Sequence, residues 1–300
     1  MSNPKTPAEY SPVGIVGVGN MGLPMATYMI KAGFTVFGTD LFEGARKALE
    51  SAGGTAFTSA GDIGSRCRYI VLSMPAADSL QSVCNELSGA CKAATVIAET
   101  STLPIYEKIK ARDLLSEKGI ILLDSTLSGT SEQARNRDIV SFGSGDKNAF
   151  DEFIPIIESY SRAYYYLGEF GNGMKMKLIA NQLVAIHNVA AAEAVLFAQR
   201  LGMDPDLMVR VISNSAGTSR MFEVRAPHMV NRTWNKTQIS NNLFHKDVSI
   251  IDEALYASGC PSPLFSATKP LYTAAVAAGY GDDDTAAVYA VLEQMSKPPK

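Results

Sequence analysis

Three features of the chain predict an α/β protein, a doubly wound parallel sheet followed by an all-α half. Short apolar runs alternate with helix-like stretches from residue 13 to 168, the rhythm of a parallel sheet covered by helices on both faces. A glycine-rich turn, Gly17-Val18-Gly19-Asn20-Met21-Gly22, joins the first run to the first helical stretch. Beyond Gly168 the strand signal stops, and the 28 residues from Met174 to Leu201 hold neither proline nor glycine.

The elements follow in order. Residues 1–12 are polar, carry three prolines and read as a disordered tail. Val13–Val18 is the first strand, Asn20–Ala32 a helix and Phe34–Asp40 the second strand. Tyr69–Ser73, Ala94–Glu99 and Ile120–Asp124 continue the sheet, with helical segments such as Pro104–Glu117 between them. Ile139–Gly143 and Ala163–Leu167 extend its edge. The Met174–Leu201 helix would span about 42 Å, and Gly202 is a suitable C-terminal stop. It is expected to join a dinucleotide-binding domain, 13–170, to a helical substrate and oligomerisation domain, 171–300. Helices are expected at Asp204–Asn214, Ser219–Asn231, Leu243–Ser258 and Pro263–Ala278. Ala190, Ala191, Ala192, Ala194 and Ala198 allow close helix packing, so a homodimer or homotetramer is expected.

Composition narrows the function classes. Of 300 residues 46% are hydrophobic and 19% charged, with a net charge of −3, as in an ordinary globular protein. Charges of both signs are mixed along the chain, which argues against nucleic-acid binding, since that requires a concentrated basic stripe. No run of about 18 apolar residues is present, so no membrane span is expected. Cys67, Cys84, Cys91 and Cys260 form no CxxC or His/Cys cluster, so neither a metal site nor a disulfide framework is expected. A reducing, cytoplasmic setting follows.

The GxGxxG turn lies between a strand and a helix, the context in which it binds a dinucleotide. Gly17 permits the tight turn, Gly19 admits the pyrophosphate and Gly22 lets helix and strand pack. Asn20 and Met21 complete the loop at a helix N-terminus, which favours an anion. Asp40, ending the second strand, can accept the ribose hydroxyls of NAD and repel the 2′-phosphate of NADP. NAD is therefore the expected cofactor and NADP the less favoured one, with Arg46 the nearest cation that could favour the phosphate. Ser73-Met74-Pro75 and Thr100-Ser101-Thr102 follow strand ends, where ligands bind in such sheets; Thr102 could equally cap the next helix.

Four stretches carry a resemblance: Gly17–Ala26, Asp124–Thr130, Gly171–Asn181 and Lys246-Asp247. In order and spacing they resemble the β-hydroxyacid dehydrogenase superfamily, which includes 3-hydroxyisobutyrate dehydrogenase, tartronate semialdehyde reductase and 6-phosphogluconate dehydrogenase. Val211–Phe222 and Ala278–Asp284 look most similar to its sugar-acid branch, which acts on L-threonate. The resemblance implies NAD(P)-dependent oxidation of a small anionic hydroxy acid, with Lys177 as the catalytic acid/base and Asn181, one helical turn on, binding substrate. It implies that Ser128, Gly129 and Thr130 cradle the carboxylate. The superfamily reads Ser-Gly-Gly there, and Thr130 keeps its N–H. Lys246 is expected to contact cofactor and substrate. Adjacent helical residues diverge by about 100°, so Lys246 and Asp247 are not expected to face each other. The polar segment Ser213–Arg220 suits a polyhydroxy acid, or an ordinary capped loop.

Overall fold

The computed structural model describes residues 6–235 and 239–296. It divides into two compact units, Met1–Lys177 and Leu178–Lys300.

The first unit holds one eight-stranded sheet: β1 Val13–Val16, β2 Val36–Thr39, β3 Thr55–Phe57, β4 Tyr69–Leu72, β5 Val96–Glu99, β6 Ile121–Ser128, β7 Val140–Ser144 and β8 Ala163–Tyr166. Their order is β3-β2-β1-β4-β5-β6-β7-β8. Every pairing is parallel except β6 with β7, where Asp124 faces Ser144 and Ser128 faces Val140. The helices of this unit are α1 Pro7–Tyr10, α2 Gly22–Lys31, α3 Glu43–Ser51, α4 Ala60–Arg66, α5 Ala77–Ala90, α6 Ile105–Ser116, α7 Ser131–Arg135 and α8 Lys147–Tyr160.

Both faces of the sheet are buried, which is why its strands read as unbroken apolar runs. Val13, Ile15, Tyr69 and Val71 join a core with Met25, Met29, Phe150 and Phe153. Their neighbours Val16, Ile70, Leu72 and Ile97 point the other way, to Ile63, Leu80, Leu87 and Leu115. The order reverses between β1 and β4, the place where open α/β sheets bind ligands at their strand ends.

Two expectations for this unit need correction. Residues 6–12 are not a disordered tail: Tyr10 is buried, its ring 5.2 Å from Tyr69 and 6.3 Å from Phe34. Residues 1–5 lie outside the described residues. Ile120–Asp124 is also too short for the sixth strand, because the antiparallel ladder with β7 carries β6 on to Ser128. The short strand β3, only partly buried, had no alternating pattern long enough to show.

Helix α9, Asn172–Arg200, begins in the first unit and continues through the second. By length and composition alone it could cross a bilayer, yet it carries Lys177, Asn181 and Asn188 as buried polar residues. The second unit continues with α10 Pro205–Ile212, α11 Arg220–Asn231, α12 Asn241–Ser258, α13 Pro263–Ala275 and α14 Val288–Met295. Between α13 and α14 the chain passes a wide turn at Val276–Tyr280, where Gly279 has φ +90°, and a short 3-10 turn at Thr285–Ala287. Buried Arg225 donates to both carboxylate oxygens of Asp284 at 2.7 Å, which fixes that connection.

Candidate active site

The glycine turn is built as a dinucleotide requires. Gly17 has φ +87°, and a Cβ there would stand 2.2 Å from the Ser73 carbonyl oxygen. A Cβ on Gly22 would stand 1.8 Å from the Gly17 carbonyl oxygen. Around Gly19 nothing lies within 4 Å of where a Cβ would be, so a bulky anion can reach the backbone. Asn20 is exposed beside it, and Met21 is half-buried at the entry to α2. The Asp40 carboxylate is fixed beyond β2: Oδ2 accepts the Val18 N–H at 2.9 Å and Oδ1 the Phe42 N–H at 3.0 Å. The Arg46 guanidinium donates to the carbonyls of Asp40 and Leu41, close to that carboxylate. These residues fit an NAD(P) molecule.

The loops after β4 and β5 are tied together. Ser101 Oγ accepts the Met74 N–H at 2.6 Å, and the Ser101 N–H donates to Glu99 Oε1 at 2.8 Å. Met74 and Ser101 are buried, Ser73 and Thr102 half-buried, and Pro75 exposed. The residue capping α6 is Pro104, so Thr102 does not cap that helix.

Ser128 ends β6 rather than lying in a loop beyond it. Its side chain makes no hydrogen bond among the described residues. Gly129 follows with φ +140°, and a Cβ there would press to 2.7 Å on Ile139. Thr130 does not offer its N–H to a ligand. It caps α7, its N–H donating to Gln133 Oε1 at 3.0 Å and its Oγ1 accepting the Gln133 N–H at 3.3 Å. This reciprocal capping box explains why a β-branched residue stands where the superfamily has glycine. Ser128 Oγ and the Gly129 N–H are not used in that box.

The first turn of α9 is docked on the same strand. Thr126 Oγ1 donates to the Gly173 carbonyl at 2.8 Å. The Gly173 N–H donates to Ser144 Oγ at 2.9 Å, and the Met174 N–H to Asp124 Oδ2 at 2.7 Å. Only glycine fits at 173, since a Cβ would lie 2.4 Å from the Phe142 carbonyl oxygen and 2.8 Å from that of Asp124. From the Thr126–Gly173 contact, Ser128 is two strand residues away, about 7 Å. Lys177 is one helical turn away, about 6 Å. Lys177 is 7% exposed, whereas Lys175 is exposed and bonded to Asn172 Oδ1.

In the second unit Asn181 Nδ2 donates to Asp247 Oδ2 at 2.9 Å, both side chains buried. The sequence singled out Lys246 of the Lys246-Asp247 pair, but Asp247 is the one that holds Asn181. Lys246 does face its neighbour after all: its flexible stem brings Nζ to 3.5 Å from Asp247 Oδ1. His245 pairs with Thr273 Oγ1 at 3.1 Å. Much of the polarity of Ser213–Arg220 is used locally. Ser219 caps α11, Ser215 Oγ donates to the Ile212 carbonyl, Asn214 to that of Arg210, and Thr218 Oγ1 to Glu223. That segment therefore speaks less for a polyhydroxy ligand than its composition suggests.

A buried charge cluster escaped the sequence reading. Lys108 Nζ lies 2.7 Å from Glu99 Oε2 and 2.7 Å from Asp124 Oδ1, all three side chains wholly buried. Its only trace in the sequence is a carboxylate at the last residue of one apolar strand and another inside its neighbour.

Known proteins agree with this architecture. Residues 12–168 match the family described as the NAD binding domain of 6-phosphogluconate dehydrogenase. Residues 171–292 match that described as NAD-binding of NADP-dependent 3-hydroxyisobutyrate dehydrogenase. An L-threonate dehydrogenase of Cupriavidus necator is 31% identical over 293 residues, 96% of this chain and 98% of that protein. An NAD-dependent L-serine dehydrogenase of Pseudomonas aeruginosa is 26% identical over 295 residues, 95% of this chain and 98% of that protein. The crystal structure of a 3-hydroxyisobutyrate dehydrogenase from Salmonella typhimurium aligns with a TM-score of 0.85 at 29% identity, covering 93% of this chain and 99% of that one. With its glycine turn, its docked α9 and these full-length likenesses, the chain belongs to the 3-hydroxyisobutyrate dehydrogenase-like family of NAD(P)-binding hydroxyacid dehydrogenases, oxidoreductases acting on CH–OH groups.

Proposed function

We propose that this protein oxidises a short hydroxy acid with NAD, and that the substrate is a four-carbon sugar acid such as L-threonate. The reading is carried by the docking of α9 on β6, which keeps Lys177 within a turn of the strand that ends in Ser128. The choice of L-threonate rests on the likeness to L-threonate dehydrogenases at 31% identity.

Bound nicotinamide would supply the hydride acceptor. The chain supplies the rest. Ser128 Oγ and the Gly129 backbone hold the substrate carboxylate. Lys177 Nζ, in its neutral form, takes the proton of the hydroxyl being oxidised and returns one in the reverse direction, a task that suits an amine in a water-poor site. The resemblance assigns a substrate hydroxyl to Asn181, whose Nδ2 is engaged by Asp247 and whose carbonyl oxygen is the remaining acceptor. Lys246 adds a positive charge for the anionic substrate and cofactor. Asp40 favours NAD, because a second negative charge on the ribose would meet a fixed carboxylate.

A second reading, oxidation of 3-hydroxyisobutyrate or L-serine, follows from the likeness to proteins of those names. Initial rates of NADH formation with L-threonate, D-threonate, 3-hydroxyisobutyrate, glycerate and L-serine, together with NADH consumption by tartronate semialdehyde, separate the readings. The highest kcat/KM is expected for L-threonate. A tenfold preference for any other member overturns that assignment, and a tenfold preference for NADP overturns the role given to Asp40.

A further inference from the structure

The Glu99–Lys108–Asp124 cluster lies beneath the site rather than in it. Three charges are buried where no water reaches them, and replacing such a group with apolar residues generally leaves a fold as stable or more so. Its presence calls for a task that apolar packing would not perform. Its connections supply one. Asp124 uses one carboxylate oxygen for Lys108 and the other for the Met174 N–H. The cluster carries one surplus negative charge, and that charge faces the N-terminal end of α9, where the helix dipole is positive. The Asp124 backbone carbonyl accepts from Ser144 Oγ at 3.2 Å, and Ser144 in turn accepts the Gly173 N–H. At the other end Glu99 holds Ser101, and Ser101 holds Met74. An unbroken chain of polar contacts therefore runs from the loop after β4, through the loop after β5, to the helix that carries Lys177.

We propose that this cluster is a positioning device, with Asp124 its key residue: it locks the first turn of α9 so that Lys177 is held in register with the loops that receive the nicotinamide. The proposal rests on the acid–base role given to Lys177. Burial alone would lower the pKa of Lys108, but Asp124 and Glu99 together outweigh it and raise the pKa. Lys108 thus stays charged throughout the neutral range.

Lys108→Met would strand two buried carboxylates and could cost the fold, so the test uses Asp124→Asn, which keeps shape and removes charge. Hydrogen–deuterium exchange of the cofactor-free protein is read over 172–177. NAD affinity is read by fluorescence, and kcat is measured per NAD-binding site with the fastest substrate of the panel above. Exchange of the α9 first-turn amides should rise at least tenfold while β1, β4 and β5 stay protected. Turnover per site should fall at least tenfold, with NAD affinity within twofold. Unchanged exchange, or turnover per site within twofold, overturns the proposal. If Asp124→Asn does not fold, Ser144→Ala removes the adjoining anchor without touching a charge and is judged by the same readings, with threefold changes expected. Lys177→Met is assayed alongside. If it keeps turnover, the acid–base role fails, while the exchange data still report whether Asp124 anchors α9.

Discussion

Asn181 and Asp247 are joined by a 2.9 Å hydrogen bond in which the amide nitrogen donates to the carboxylate, with both side chains buried. The bond fixes which way the amide faces, since a carboxylate accepts only from the NH2 side. Asp247 is thereby a positioning residue for Asn181. Asp247→Ala releases the amide and is expected to raise the KM for the hydroxy acid about tenfold, a loss of about 1.4 kcal/mol. Asp247→Asn keeps an acceptor and should lose less. Steady-state kinetics with cofactor affinity measured in parallel checks both.

Gly173 is a packing constraint with a catalytic consequence. A methyl group there would overlap the Phe142 and Asp124 carbonyl oxygens. Gly173→Ala is expected to destabilise the protein by about 1–3 kcal/mol, the usual range for overpacking. It should also lower kcat, because α9 must lift from β6. Urea unfolding and turnover measured on the same sample test the pair of effects.

The four thiols should behave differently. Burial pushes Cys67 and Cys84 up to about 12 and Cys91 up to about 11. The thiolate is the reactive form, so a raised pKa keeps these groups protonated and inert from neutral to mildly alkaline pH. Cys260 is exposed. Titration with Ellman's reagent at pH 7.5 should give one fast equivalent from the native protein and four from the unfolded chain. Cys260→Ser should abolish the fast one.

Cofactor choice is tested at Asp40. Its two oxygens are already oriented by the N–H groups of Val18 and Phe42, so its charge is held in place. Asp40→Ala should weaken NAD about tenfold and narrow the gap to NADP, with Arg46 at hand nearby; that corresponds to about 1.4 kcal/mol. Kd values for both cofactors decide it.

Much of this was legible in the sequence, for stateable reasons. The glycine turn, its flanking strand and helix and Asp40 are local features, and their spacing predicts a dinucleotide-binding turn. Lys177 and Asn181 lie four apart on one helix, a relation that periodicity gives directly. What escaped depends on contacts between elements far apart in the chain. Asp124 was visible as a strand residue, but not its hold on Met174, 50 residues on. Nothing local marks Lys108 on α6, and only the fold brings its amine to the carboxylates of Glu99 and Asp124. Thr130 was misjudged for a nearer reason. The Thr-x-x-Gln capping signature at 130–133 is local, and it takes up the N–H that the resemblance had assigned to substrate.

The proposed chemistry depends above all on the Lys177 side-chain amine. Lys177→Met removes the amine and keeps most of the stem. With L-threonate and the rest of the panel, turnover should drop by about 100- to 10,000-fold, the range expected when a general acid–base is lost. NAD should still bind within twofold of the unaltered protein. A variant that binds NAD normally and still turns over within tenfold of the parent rate would contradict the central claim.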